Sequence, residues 1–83
     1  MPHPRQETPY QALRAIGRAV RFARLDAGLT QKQLSEEVGV SRGTIANIER
    51  GSQNTTLGLI WAICMTCEVT IDDLMAAAVR AWK

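Results

Sequence analysis

A chain of 83 residues makes one domain, because it is too short to close a second hydrophobic core beside the first, and this excludes a large multidomain enzyme. With 46% hydrophobic, 22% charged and only 5% aromatic residues, the composition is that of an ordinary globular domain with an aliphatic, alanine-rich core. The net charge of +2 is too mild to mark a nucleic-acid binder, but residues 14–54 carry +3 and residues 55–83 carry −1, so a polyanion would meet the first two-thirds.

Residues 1–7, polar and with prolines at Pro2 and Pro4, read as a flexible arm, and residues 8–83 as the folded domain. Thr8, Pro9 and Gln11 form a helix start: a capping hydroxyl, a proline in the first turn and a glutamine three residues after the cap. Leu13, Ile16, Val20, Ala23 and Ala27 follow at steps of three and four, which predicts a first helix of roughly 17 to 19 residues ending at Gly28. Thr30 and Gln33 repeat the capping box before a short second helix with Leu34 and Val38 inward, ended by Gly39. Ser41 caps a third, with Ile45 and Ile48 inward and Gly51 as its stop. Only Gly39, Val40 and Ser41 join these two helices, a connection that forces a steep crossing and hence a helix-turn-helix.

Thr56 starts a fourth helix with Leu57, Ile60, Ile63, Cys64 and Cys67 inward, and Thr70 with Asp73 caps a fifth in which Leu74, Ala78 and Val79 can pack. No period-two segment competes, so the expected fold is all-α: a compact five-helix bundle. No run approaches the roughly 18 apolar residues of a membrane span. The polar first residues lack the apolar segment of a signal peptide, so a cytoplasmic location without a membrane partner is expected.

The joint pattern of Gly28-Leu29-Thr30-Gln31, Leu34, Gly39-Val40-Ser41, Ile45 and Ile48-Glu49-Arg50-Gly51 resembles the phage repressor/Cro type of helix-turn-helix regulators, also called the xenobiotic-response-element family. The resemblance runs from about Ile16 to Leu74 without insertions. It implies a lambda-repressor-like domain that docks its third helix in the DNA major groove, usually as a homodimer on an inverted-repeat operator. Physical reasoning agrees, since a reading helix presents its N-terminal residues to base edges and its positive dipole end to phosphates. Those residues are Ser41, Arg42, Gly43, Thr44 and Asn47. Arg42 suits guanine, Asn47 adenine and Thr44 a thymine methyl or a phosphate, while Gly43 would permit close backbone approach.

Gln31 matches the family's phosphate-clamping glutamine, and Arg50, Ser52, Gln53, Asn54 and Thr55 form a polar loop where a second phosphate contact is expected, although Thr55 stands where the family often has proline. The resemblance also makes Arg24 and Glu49 a buried structural ion pair. Arg14, Arg18 and Arg21 share one face of the first helix, as a solubilising stripe or a phosphate track. Leu59, Trp61, Met65, Met75, Val79 and Trp82 are more apolar groups than so small a domain can bury, which suggests a two-fold dimer through helices four and five.

Cys64 and Cys67 have the spacing of metal and thiol sites, but His3 is the only plausible third ligand, so the cysteines read as core and neither a metal nor a cofactor is expected. No catalytic constellation is present and an enzyme is not expected. The expected function is therefore a homodimeric, sequence-specific transcriptional regulator. Its compact layout resembles phage regulators, restriction–modification controllers and antitoxins, with double-stranded DNA, a second copy, and RNA polymerase or a toxin as partners. The alternative is an interaction module, such as an antitoxin that masks a toxin and binds DNA only secondarily.

Overall fold

The computed structural model describes the backbone of residues 8–82 and the side chains of residues 10–82; the arm, with His3, and the capping side chain of Thr8 lie outside the described residues. Five helices follow in order: α1 (Thr8–Asp26), α2 (Gln31–Val38), α3 (Arg42–Arg50), α4 (Leu57–Cys67) and α5 (Ile71–Ala81). There is no strand among the described residues.

Each helix after the first begins on the same chemistry. The hydroxyls of Thr30, Ser41, Thr56 and Thr70 accept from the amide three residues on, satisfying a donor that the helix itself leaves unpaired. At Thr30 the box is complete, with the Gln33 carboxamide accepting from the Thr30 amide at 2.9 Å. Gly39 and Gly51 end α2 and α3 in the left-handed conformation, at φ 80° and 72°.

Helix α4 ends the same way, but on Glu68 at φ 60°, without a glycine. A side chain there carries a steric cost of about 1 kcal/mol or more. Glu68→Gly is therefore expected to raise stability by about 1 kcal/mol and the melting temperature by about 4–8 °C, read by thermal denaturation.

Leu34, Ile45, Ile63 and Val20 are the largest fully buried side chains, one from each of the first four helices, and α5 closes the core with Leu74 and Ala78. Helix α1 is the spine, packing chiefly on α5 and α3. Its alanines Ala15, Ala19 and Ala23 allow close approach, and at Gly17 the approach is extreme: a Cβ there would lie 2.3 Å from the Ile48 carbonyl oxygen and 2.7 Å from that of Glu49. On the other side of the same crossing, a Cβ at Gly51 would lie 2.6 Å from the Arg14 Cα.

Three positions expected to face inward do not. Ala27 falls beyond the end of α1 and is exposed. Leu57, in the first turn of α4, is 69% exposed, and Val79, which the sequence offered both as a packing residue of α5 and as surplus apolar surface, is 70% exposed because it lies off the Leu74–Ala78 face. Arg18 does not stand as a free charge in an arginine stripe. Its guanidinium donates to the Ala81 carbonyl at 3.1 Å, placing a cation at the negative end of α5.

Candidate nucleic-acid interface

Helices α2 and α3 bring Gln31, at the start of one, against Arg42, at the start of the other. Arg42 donates from Nη1 to the Gln31 Oε1 at 3.2 Å, and Gln31 donates from Nε2 to the Glu49 Oε1 at 3.0 Å. Glu49 is itself held in the core by Arg24, whose Nε donates to Oε2 at 2.6 Å and Nη2 to Oε1 at 3.0 Å. Both members are buried, and the remaining Arg24 Nη1 donates to the Leu29 carbonyl at 2.8 Å, fixing the turn between α1 and α2. The hydrogen bond to Glu49 raises the Arg24 pKa further above its ordinary value, against the opposing effect of burial, so the guanidinium stays charged. A continuous polar path thus runs from a buried ion pair to an exposed guanidinium on the first turn of α3.

Ser41, Arg42 and Gly43 are exposed and Thr44 is half-buried. The Ser41 hydroxyl is already engaged, accepting from the Thr44 amide at 3.0 Å and lying 2.9 Å from the Thr44 hydroxyl. Among the described residues nothing requires glycine at position 43, where a Cβ would find only the Ser41 hydroxyl at 3.8 Å.

Asn47 is engaged within the chain at both ends of its amide. Its Nδ2 donates to the Gln53 Oε1 at 3.1 Å, and its Oδ1 accepts from the Arg50 guanidinium. The Ser52 amide and hydroxyl both donate to the Asn47 carbonyl. Each end of the amide is thus engaged once within the chain, and Asn47 ties α3 to the loop that follows it. Gln53, the other half of this clamp, carries no special sequence signal beyond its place in a polar run.

Asn54 is exposed on that loop. Thr55 is turned inward: among the described residues its buried hydroxyl has no hydrogen-bond partner. An unsatisfied buried hydroxyl costs about 1–3 kcal/mol. Thr55→Val is expected to raise stability by about 1 kcal/mol in urea unfolding and to leave DNA affinity unchanged. A fall in affinity would show that the hydroxyl reaches a phosphate after all.

Cys64 and Cys67 lie in the core, and burial pushes both thiols up, away from the thiolate that metal or redox chemistry needs. Elsewhere on α4 and α5, Trp61, Met65, Val79 and Trp82 are exposed, and Leu59 and Met75 half-buried. A wholly apolar recess of about 160 Å³ between α1 and α5 is lined by Ile16, Met75, Val79 and Trp82. A second, of about 230 Å³, places Ile71 beside Trp61 and Met65, so that Ile71, which the sequence did not single out, links the two helices' apolar stripes.

The comparisons with known proteins agree with this geometry, and a helix-turn-helix family model matches residues 20–74. The chain belongs to the helix-turn-helix family, of the Cro/C1 type. It is 38% identical over 55 residues to an uncharacterized HTH-type transcriptional regulator of Archaeoglobus fulgidus, a match covering 66% of this chain and 79% of the relative. Across the curated relatives it matches, this family member spans between 56% and 83% of their length.

Among solved structures it resembles the clp gene regulator ClgR from C. glutamicum with a TM-score of 0.84 and 28% identity, covering 87% of this chain and 92% of that one. It also resembles the restriction–modification controller protein C.Esp1396I, seen as a tetramer in complex with its natural 35 base-pair operator. That match has a TM-score of 0.75 and 25% identity, and covers 86% of this chain and 93% of the controller. The regulator is thus an HTH-type DNA-binding protein of transcription, five-helical throughout its described length. No helix among the described residues is long and apolar enough to cross a membrane.

Proposed function

We propose that this regulator acts as a homodimer that reads an inverted-repeat operator and represses transcription by occupying a promoter. The observation that carries the reading is the exposed guanidinium of Arg42 on the first turn of α3, held by Gln31 and through it by Glu49. A guanidinium aimed from that turn can pair in bidentate fashion with guanine O6 and N7, with Thr44 beside it for a thymine methyl or a phosphate. The α2 N-terminus at Gln31 and the polar groups of Ser41, Arg50, Ser52 and Asn54, with the open backbone at Gly43, supply the phosphate contacts that set the register. The likeness to a controller solved on its operator supports this docking.

Burying Trp61, Met65, Met75, Val79 and Trp82 against a second copy, with Leu59 at the margin, removes the apolar surface that one chain leaves in water. It also sets two α3 helices to enter major grooves about 34 Å apart. The test is selection from a randomised duplex library at two salt concentrations. Enrichment of an inverted repeat supports the dimeric operator; retention that is weak, motif-free and abolished by salt overturns it.

Within this reading Arg42 and Asn47 part company. Arg42→Ala is expected to lose about 1–3 kcal/mol of discrimination at one base position. Asn47→Ala, by releasing Gln53 and Arg50, is expected to weaken binding to every sequence alike and to lower the melting temperature. Loss of preference at an adenine in Asn47→Ala would instead restore a base-reading role.

A further inference from the structure

The apolar surface does not end at the stripe assigned to dimerisation. On the opposite edge of α5, a groove of about 210 Å³ runs between α1 and α5, with Ala19, Phe22, Val69 and Ala77 as its floor and Asp26 and Asp73 on its rim. Phe22 is 69% exposed. At 100° per residue, Asp73 and Ala77 lie roughly 120–160° around α5 from Met75 and Val79, with buried Leu74 and Ala78 between them on the core side. A two-fold contact through Met75, Val79 and Trp82 therefore leaves the Phe22 groove uncovered.

Its charge is one-sided. A neighbouring recess shares Asp26 and Val69 with the groove and adds the carboxylates of Glu37 and Glu68. No lysine or arginine lines either depression, and among the described residues none of these four carboxylates forms a salt bridge. Two acids on the rim of an apolar floor, with two more on the adjoining recess, have the wrong sign for a nucleic acid in a chain whose net charge is positive. They are the right sign for a cationic partner.

We infer that this groove docks an amphipathic helix of another protein, one that sets a single large apolar side chain on Phe22 and Ala77 and places lysine or arginine beside Asp26 and Asp73. The volume suits one such anchor, and side chains three or four residues either side of it on a helix reach both rims. Such contacts would let the DNA-bound regulator hold a second protein without disturbing α3. The inference does not rest on the operator reading, because none of its residues belongs to the DNA-facing set.

The test is titration of the full chain with a peptide of about 14 residues made of leucine and lysine, its leucines on one helical face, followed residue by residue by NMR. Saturable binding is expected, with shifts centred on Phe22, Val69 and Ala77. Phe22→Ala, and the pair Asp26→Lys with Asp73→Lys, are each expected to weaken it about tenfold. Three results would overturn the proposal. A scrambled peptide of the same composition could bind equally well, which is charge alone. The shifts could centre on Trp61 and Val79. The free chain could form assemblies larger than a dimer that Phe22→Ala dissolves, in which case a second copy occupies the groove.

Discussion

Gly17→Ala is expected to lower stability by about 2 kcal/mol or more and to drop the melting temperature by roughly 10 °C. Alanine in place of a mid-helix glycine ordinarily stabilises by about 1 kcal/mol. Here the added methyl meets the Ile48 carbonyl oxygen at 2.3 Å and that of Glu49 at 2.7 Å, and neither is the loose end of a side chain. Helices α1 and α3 must separate, which opens the seam between Val20 and Ile48 and pulls Glu49 away from Arg24. Gly58→Ala is the control. It lies in the first turn of α4, where a Cβ would meet only the Thr56 hydroxyl at 4.0 Å, and should be neutral or slightly stabilising. Thermal denaturation of the two variants decides the matter: equal melting temperatures would mean that the α1–α3 crossing is looser than this.

The second large effect belongs to Arg24 and Glu49. Truncating either one alone leaves a buried charge without its partner, which costs about 3–5 kcal/mol. For a domain of this size that is a large share of the total stability. Arg24→Ala additionally frees the Leu29 carbonyl, and Glu49→Ala frees Gln31. Replacing both members, by Arg24→Met with Glu49→Leu, is expected to recover most of the loss, because two apolar side chains need no desolvation compensation.

That double variant separates stability from function. It folds but no longer holds Gln31, and so releases Arg42, so operator affinity is expected to fall about tenfold while urea unfolding returns toward the parent value. Because the Arg24 pKa is raised above its already high ordinary value, its contribution is complete at neutral pH and is lost only as pH rises through that folded value, far into the alkaline range. Single truncations costing less than about 1 kcal/mol would mean that the pair is solvated.

Most of the architecture was legible in the sequence because it is encoded locally. A hydroxyl at Thr30, Ser41, Thr56 or Thr70 accepts from an amide three residues away, and a glycine at 39 or 51 turns the chain where it stands, so helix ends need no distant partner to be recognised. The steep crossing of α2 and α3 follows from the short link between them. The left-handed helix end without a glycine, at Glu68, is one whose chemistry a local reading does not anticipate.

What the tertiary structure alone decided are relations between residues far apart in the chain. Periodicity placed Leu57 and Val79 inward because it measures spacing along a helix, and whether a neighbour covers that face depends on where the next helix lies. The sequence singles out the polar residues around α3 as a set, but a side chain with several donors and acceptors chooses among partners in three dimensions. Asn47 found Gln53 and Arg50, Gln31 found Glu49 and Arg42, and the Thr55 hydroxyl found none. Gly17 carries no local signal of its own, and only packing brings the carbonyls of α3 against it. Caps, turns and helix lengths were thus determined by the sequence itself through short-range bonds. Which polar groups stay free to meet DNA, and which apolar faces stay open to a partner, was settled only by packing.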